Sequence, residues 1–265
     1  MKAAILARGR GTRMQRQDEA VALTCAQATM ADKGIKSMMP FRRPFLDYVL
    51  SALADAGCRD VCIIVGPDDE TIRPHYEAAR LERVKVRFAI QAEARGTADA
   101  VLAVESFAGS DPFLVLNADN YYPVEGFRAL VALEGPGLPV FRQSTLVRKG
   151  NIDPARVRAF AVVTVGDDGI VRDIVEKPDA SMPLGDDPLV SMNCWRFDRT
   201  IFDACRRIEP SPRGEVELPN AVRYAIRTLG CRFRAVTVEQ GVLDLSTRSD
   251  IPDVERRLSG IDARP

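Results

Sequence analysis

"AAILARGRGTRM" (residues 3–14) runs from a short apolar strand straight into Gly, Arg, Gly, Thr and Arg. The two glycines remove Cβ atoms and let the backbone approach a ligand closely. Arg8, Arg10 and Arg13, with Thr12 among them, suit a partner that carries negative charge, and phosphate is the first such partner. The loop is neither GxxxxGK[ST] nor a complete GxGxxG, because Met14 stands at the third glycine position. Taken alone it is equally a tight turn, so its meaning depends on the rest of the chain.

Strand and helix patterns alternate after it. Residues 45–56 place Phe45, Leu46, Val49, Leu50 and Leu53 at helical spacing, and Gly57 closes the helix. "VCIIVG" (61–66) reads as a second buried strand, with Asp68 or Asp69 capping the next helix. "VKVRFAI" (84–90) is a third strand, followed by Thr97 as N-cap of a helix through Val104; "PFLVLNADN" (112–120) is a fourth. Four strands with helical crossovers predict a Rossmann-like α/β fold, a mostly parallel sheet flanked by helices. Ligands of such sheets bind at the carboxyl ends of the strands, where the Gly-Arg loop and Asn117–Asn120 both lie.

The second half predicts an α+β elaboration. "FAVVTVGDDGIVRDIVEKP" (160–178) is a hairpin turning at Asp168-Gly169. A strand near 190–197, a helix near 217–229, a strand at 232–238 and a last helix bearing Ile251, Val254 and Leu258 come after it. Residues 15–34 fit the alternation poorly and predict a flap or a short helix ended by Gly34. The whole reads as one domain, with a nucleotide-binding half over about 1–135 and the opposite wall of a cleft over about 136–265.

Lys plus Arg and Asp plus Glu number 37 each in 265 residues, so no net field recruits nucleic acid or an anionic membrane. Any anion site is therefore local. No apolar run approaches the roughly 20 residues that span a bilayer, and the chain enters its first strand without a leader pattern, which points to the cytoplasm. Six scattered cysteines without a CxxC pair, and a single histidine, His75, argue against a zinc site or a disulfide scaffold; reduced, mostly buried thiols are expected.

Several side chains at predicted strand ends suit phosphate and metal chemistry. Lys36 lies in "IKSMMP"; Gln91 is placed to read a base edge; Gly96 and Thr97 begin a helix that accepts close backbone contact. Asp119 ends an apolar strand, and Asp244 sits between Leu243 and Leu245, where a carboxylate is costly unless paired or metal-bound. Two such acids converging on one cleft would suit Mg²⁺ and a triphosphate.

In this order the segments resemble the sugar-1-phosphate nucleotidylyltransferases, over about residues 2–250. "LARGRGTRM" resembles the family's LAxGxGTRM loop, "IKSMMP" its lysine segment, and "QAEARGTADAV" its Q…GTAxAV box. "LNADN" and "VLDLST" are similar to its two acidic metal boxes, "IVEKP" to its EKP box, and "SMNCWRF" to a strand of the sugar pocket. The resemblance implies transfer of a nucleoside monophosphate from a triphosphate to a sugar-1-phosphate, with Mg²⁺ and without a covalent intermediate. Leu6, Ala7, Gly9, Gly11, Thr12, Arg13, Gln91, Gly96 and Thr97 would surround the nucleotide. Arg13 and Lys36 would neutralise the departing phosphates, and Asp119 and Asp244 would hold the metal. Lys177 would orient the sugar phosphate, while Ala161, Glu176, Asn193 and Trp195 would form the sugar side.

Three departures stand out: Arg8 replaces a small residue beneath the nucleotide, Ala161 a frequent glycine near the sugar, and the 15–34 link is long. They bear on base and sugar identity, with UTP or dTTP favoured through Gln91. Oligomeric state is open, a homo-oligomer included. The alternative reading is a catalytically weak relative that binds nucleotide or nucleotide sugar and regulates a partner. A nicotinamide-dependent oxidoreductase would explain strand–GxG but not the missing third glycine, Asp244 or Glu176-Lys177.

Overall fold

The computed structural model describes all residues, 1–265. The strands are β1 (Lys2–Leu6), β2 (Asp60–Val65), β3 (Lys85–Ile90), β4 (Phe113–Asn117), β5 (Asn120–Tyr121), β6 (Gly137–Arg142), β7 (Ala161–Val165), β8 (Val171–Glu176), β9 (Leu189–Ser191), β10 (Cys194–Phe197), β11 (Arg234–Thr237) and β12 (Leu243–Asp244). The helices are α1 (Cys25–Lys33), α2 (Phe45–Asp55), α3 (Ile72–Ala78), α4 (Thr97–Leu102), α5 (Glu105–Ala108), α6 (Val124–Ala132), α7 (Gln143–Lys149), α8 (Thr200–Arg207), α9 (Leu218–Arg227) and α10 (Ile251–Leu258).

The predicted parallel unit is present. β3, β2, β1 and β4 lie side by side and pair in parallel, with helices in every crossover. Alternate residues of these strands enter opposite cores. Ala3, Ile5, Leu114 and Leu116 pack with α2, while Ala4, Phe113 and Val115 pack with Phe202 and the α9 residues Leu218 and Val222. Burial on both faces is why these strands read as continuous apolar runs rather than as alternating ones.

Beyond β4 the sheet continues as β10-β6-β9-β7-β8, mostly antiparallel, with β11 parallel to β6. The hairpin turns where expected, with Gly169 at φ +74°. The single strand expected near 190–197 is instead two, β9 and β10, separated at Asn193, whose φ is +55°. No helix is long and apolar enough to cross a membrane.

Local signals fixed the helix ends. Asp69 accepts from the backbone N–H groups of Thr71, Ile72 and Arg73 at the start of α3. Residues 15–34 do contain a helix: Thr24 and Gln27 form a reciprocal capping box and Gly34, at φ +72°, ends α1. Thr97 does not cap α4; Gly96 holds that position, and the Thr97 hydroxyl accepts from the Leu218 N–H at 2.8 Å, tying α4 to α9. Four of the six free cysteines are buried, Cys231 is half-buried and Cys25 exposed.

Candidate active site

A cleft of about 810 Å³ opens at the carboxyl ends of β1, β2, β3 and β4, a size typical of small-molecule sites. Leu6, Ala7, Gly9, Gly11, Thr12, Lys36, Gln91, Gly96, Thr97 and Asp119 line it, as do Arg8, Arg10 and Lys33. Arg13 is exposed and outside the lining, whereas Arg10 of the same loop belongs to it.

The loop's two glycines have different reasons. A Cβ at Gly9 would meet nothing within 4 Å, so the backbone there is open to a ligand. Gly11, at φ +60°, packs against the chain itself: its Cβ would lie 2.1 Å from the Gly34 carbonyl oxygen. The close approach expected for a phosphate at Gly11 is thus taken by the end of α1, which braces the loop from behind.

The acidic pair is brought together by a two-stranded ribbon. β5 pairs antiparallel with β12, setting Asn120 opposite Asp244, and the Leu245 N–H donates to the Asp119 carbonyl at 2.9 Å. Asn151 clamps the Asp244 backbone through bonds of 2.7 and 2.8 Å. The Asp244 carboxylate accepts from Asn120 Nδ2 at 2.8 Å and Ser246 Oγ at 2.7 Å, and pairs with Arg156. Arg156 also holds Asp250 at 3.0 Å, and Asp119 pairs with Lys36. Burial first, then the charge of Asp119, pushes the Asp244 carboxyl above its usual range. A buried carboxylate penalised by a neighbouring carboxylate is relieved by a shared cation, and both offer hard oxygen donors. The two acids would supply a divalent ion with two oxygen ligands once it took the place of Lys36 on Asp119 and of Arg156 on Asp244.

A second charged cluster adjoins the cleft through Arg213, which lines it; Ala161, Glu176, Lys177 and Asn193 lie outside the lining. Lys177, at φ +46°, lies 3.5 Å from Glu176 and 3.8 Å from Glu217; Arg213 pairs with Glu217 and lies 4.0 Å from Glu176. Burial raises the Glu176 pKa, opposed by Lys177 and reinforced by Glu217. Ala161 pairs across the strands with both Glu176 and Ser191, so it shares their row. Trp195 corrects an expectation: it is fully buried, stacked on Phe197, and its Nε1 donates to Asn193 Oδ1 at 3.4 Å. It supports Asn193 from the core instead of contacting a sugar, because β10 is an interior strand covered on both sides.

Arg213 and Glu217 escape a reading of the sequence because "SPRGEVELP" looks like an ordinary solvated loop. Tertiary contacts reveal it: Val216 N–H donates to the Arg95 carbonyl at 2.8 Å and its own carbonyl accepts from Ala98 at 3.0 Å. This seats Arg213, Gly214 and Glu215 in the cleft lining. Gly96 permits the contact, since its Cβ would lie 2.4 Å from the Val216 oxygen. Arg156 and Asp250 escape it likewise; only the fold brings them to Asp244.

Gln91 is buried, and its Nε2 donates to the Gly96 carbonyl at 3.0 Å and to Asp99 at 2.8 Å. Both amide protons are therefore engaged, and Oε1 remains as an acceptor.

A family model described as Nucleotidyl transferase matches residues 2–235. A UTP–glucose-1-phosphate uridylyltransferase, AglF, of Haloferax volcanii is 28% identical over 97% of this chain and 96% of its own length. A glucose-1-phosphate thymidylyltransferase of Streptomyces antibioticus is 31% identical over 97% of this chain; the match spans 65% of that longer protein. Among solved structures, UDP-glucose pyrophosphorylase complexed with UDP-glucose superposes with a TM-score of 0.75 at 18% identity, covering 97% of this chain and 98% of that one. That likeness is one of fold.

Proposed function

This chain belongs to the nucleotidyl transferase family, and we propose that it transfers a nucleoside monophosphate from a nucleoside triphosphate to a sugar-1-phosphate. The products are a nucleotide sugar and pyrophosphate. The observation that carries this reading is the convergence of Asp119 and Asp244 through β5 and β12, with Asp119 in the same cleft lining as the Gly9–Thr12 loop and Arg213. The named relatives act on glucose-1-phosphate with a uridylyl or thymidylyl donor.

In this reading the triphosphate lies along the Gly9–Thr12 backbone, with Arg10, Lys33 and Lys36 neutralising the phosphates that leave. A sugar phosphate oxygen forms a bond to the α-phosphorus as the α–β anhydride bond breaks, and the electron pair departs with pyrophosphate. Positioning and charge neutralisation carry such a reaction, so no side chain needs to act as a nucleophile. Asp119 and Asp244 would hold Mg²⁺, which when bound would supply neutralisation of phosphate charge. Lys177 and Arg213 orient the sugar phosphate; Glu176 and Asn193 accept from or donate to sugar hydroxyls. The free Gln91 Oε1 suits the ring N–H of uracil or thymine, which favours UTP or dTTP.

The test is pyrophosphate release with each of the four ribonucleoside triphosphates and dTTP against a panel of sugar-1-phosphates. Release that requires both substrates, is lost on chelation and returns with Mg²⁺ is expected. Tight nucleotide binding without release from any pair would replace this reading with that of a regulatory relative.

A further inference from the structure

Arg8 is poorly served by its own protein. Its Nη2 donates to the Ala92 carbonyl at 3.1 Å, no carboxylate lies within ion-pair distance, and its Nη1 is buried with no hydrogen-bond partner. A guanidinium carries five N–H donors, and a buried one left unpartnered is costly, so such groups are rare in folded proteins. Because Arg8 lines the cleft, a ligand atom bound there can supply the missing acceptor.

The path of the side chain says which part of a ligand. From the end of β1 it crosses Gly66, at the end of β2, and reaches the residue after Gln91 beyond β3. A Cβ at Gly66 would lie 3.1 Å from Arg8 Nε, so the glycine keeps this path open. The same point lies 2.8 Å from Asp68 Oδ1, and Asp68 and Asp69 both line the cleft after β2. Two carboxylates there disfavour a phosphate beside them and suit a neutral acceptor. Gln91, next to Ala92, meanwhile presents a free acceptor in the same cleft.

Resting on the function proposed above, we propose that Arg8 reads the base: its unpartnered Nη1 donates to the O4 carbonyl oxygen of a pyrimidine-2,4-dione while Gln91 Oε1 accepts the adjacent ring N–H. A donor beside an acceptor matches the carbonyl and N–H of uracil or thymine. Cytosine and adenine present a ring nitrogen acceptor and an exocyclic donor instead, the reverse pattern, and leave both protein groups unsatisfied.

Equilibrium binding of UTP, CTP and inorganic tripolyphosphate, without sugar phosphate, tests this on the wild type, Arg8→Ala and Gly66→Ala. Loss of a hydrogen bond from a charged donor should weaken UTP binding by about tenfold or more in Arg8→Ala. CTP and tripolyphosphate should change by no more than about twofold. Gly66→Ala, which leaves the arginine in place but obstructs its path, should show the same selective loss. Equal weakening of UTP and tripolyphosphate would make Arg8 a phosphate ligand and overturn the proposal. Unchanged or tighter UTP binding would also overturn it and make the side chain a space-filler. Failure of the wild type to bind any triphosphate would instead remove the proposed function, a result distinct from any of these.

Discussion

Asp244 is almost fully enclosed, yet its backbone, not its carboxylate, carries the Asn151 clamp. Asp244→Asn and Asp119→Asn should therefore keep the fold while lowering turnover by about a hundredfold or more, the usual scale for losing a preorganised electrostatic group. Steady-state pyrophosphate release beside circular dichroism checks this; near-normal turnover in either variant would remove the metal assignment. Glu176 gives a pH signature. Burial keeps its carboxyl protonated to higher pH than in the unfolded chain. Between the unfolded and folded pKa values the folded state binds more protons, so its contribution to stability falls as pH rises through that window and stays lower above it. Thermal unfolding of Glu176→Gln from about pH 4 to 8 should be flatter than that of the wild type through this window. Parallel curves would contradict the shift.

Two small elements do much of the positioning. The β5–β12 ribbon sets one acid against the other, and the left-handed end of α1 at Gly34 supports the Gly-Arg loop through Gly11. These contacts distinguish glycines that the sequence presents as equivalent. Gly11→Ala drives a Cβ into the Gly34 backbone at positive φ and should cost at least about 1–3 kcal/mol. Gly9→Ala has open space and should leave thermal stability nearly unchanged while weakening triphosphate binding. Differential unfolding and nucleotide titration of the pair separate the two roles. Equal destabilisation would mean that Gly9 is also structural.

At the scale of the molecule the parallel half and the antiparallel half each present charge to the cleft, and the Ser211–Glu217 loop joins them. Lys177→Ala should raise the KM for the sugar-1-phosphate by about tenfold or more, with the triphosphate dissociation constant unchanged within about twofold. Equal losses for both substrates would place that lysine on the nucleotide side. The helix ends at Asp69, Gly57 and Gly34, the parallel strands β1–β4, the Asp168-Gly169 hairpin and the Gly-Arg loop were readable from the sequence, because each depends on residues within a few positions or on burial of a whole strand; the N-cap expected at Thr97 was not, because its hydroxyl is taken by α9. The closeness of Asp119 to Asp244 was an expectation from motif order, and the fold gave it a cause in strand pairing. What the sequence left hidden are Arg213 against Glu217 and Glu176, Arg156 against Asp244 and Asp250, the burial of Trp195, and the Gly11–Gly34 contact. The sequence by itself determined the elements and their chemistry, since propensity, capping and periodicity act over one or two turns. Only the tertiary structure decided which charges meet, which glycine is structural and which aromatic is core, because those contacts join residues far apart in the chain and arise when the sheet packs.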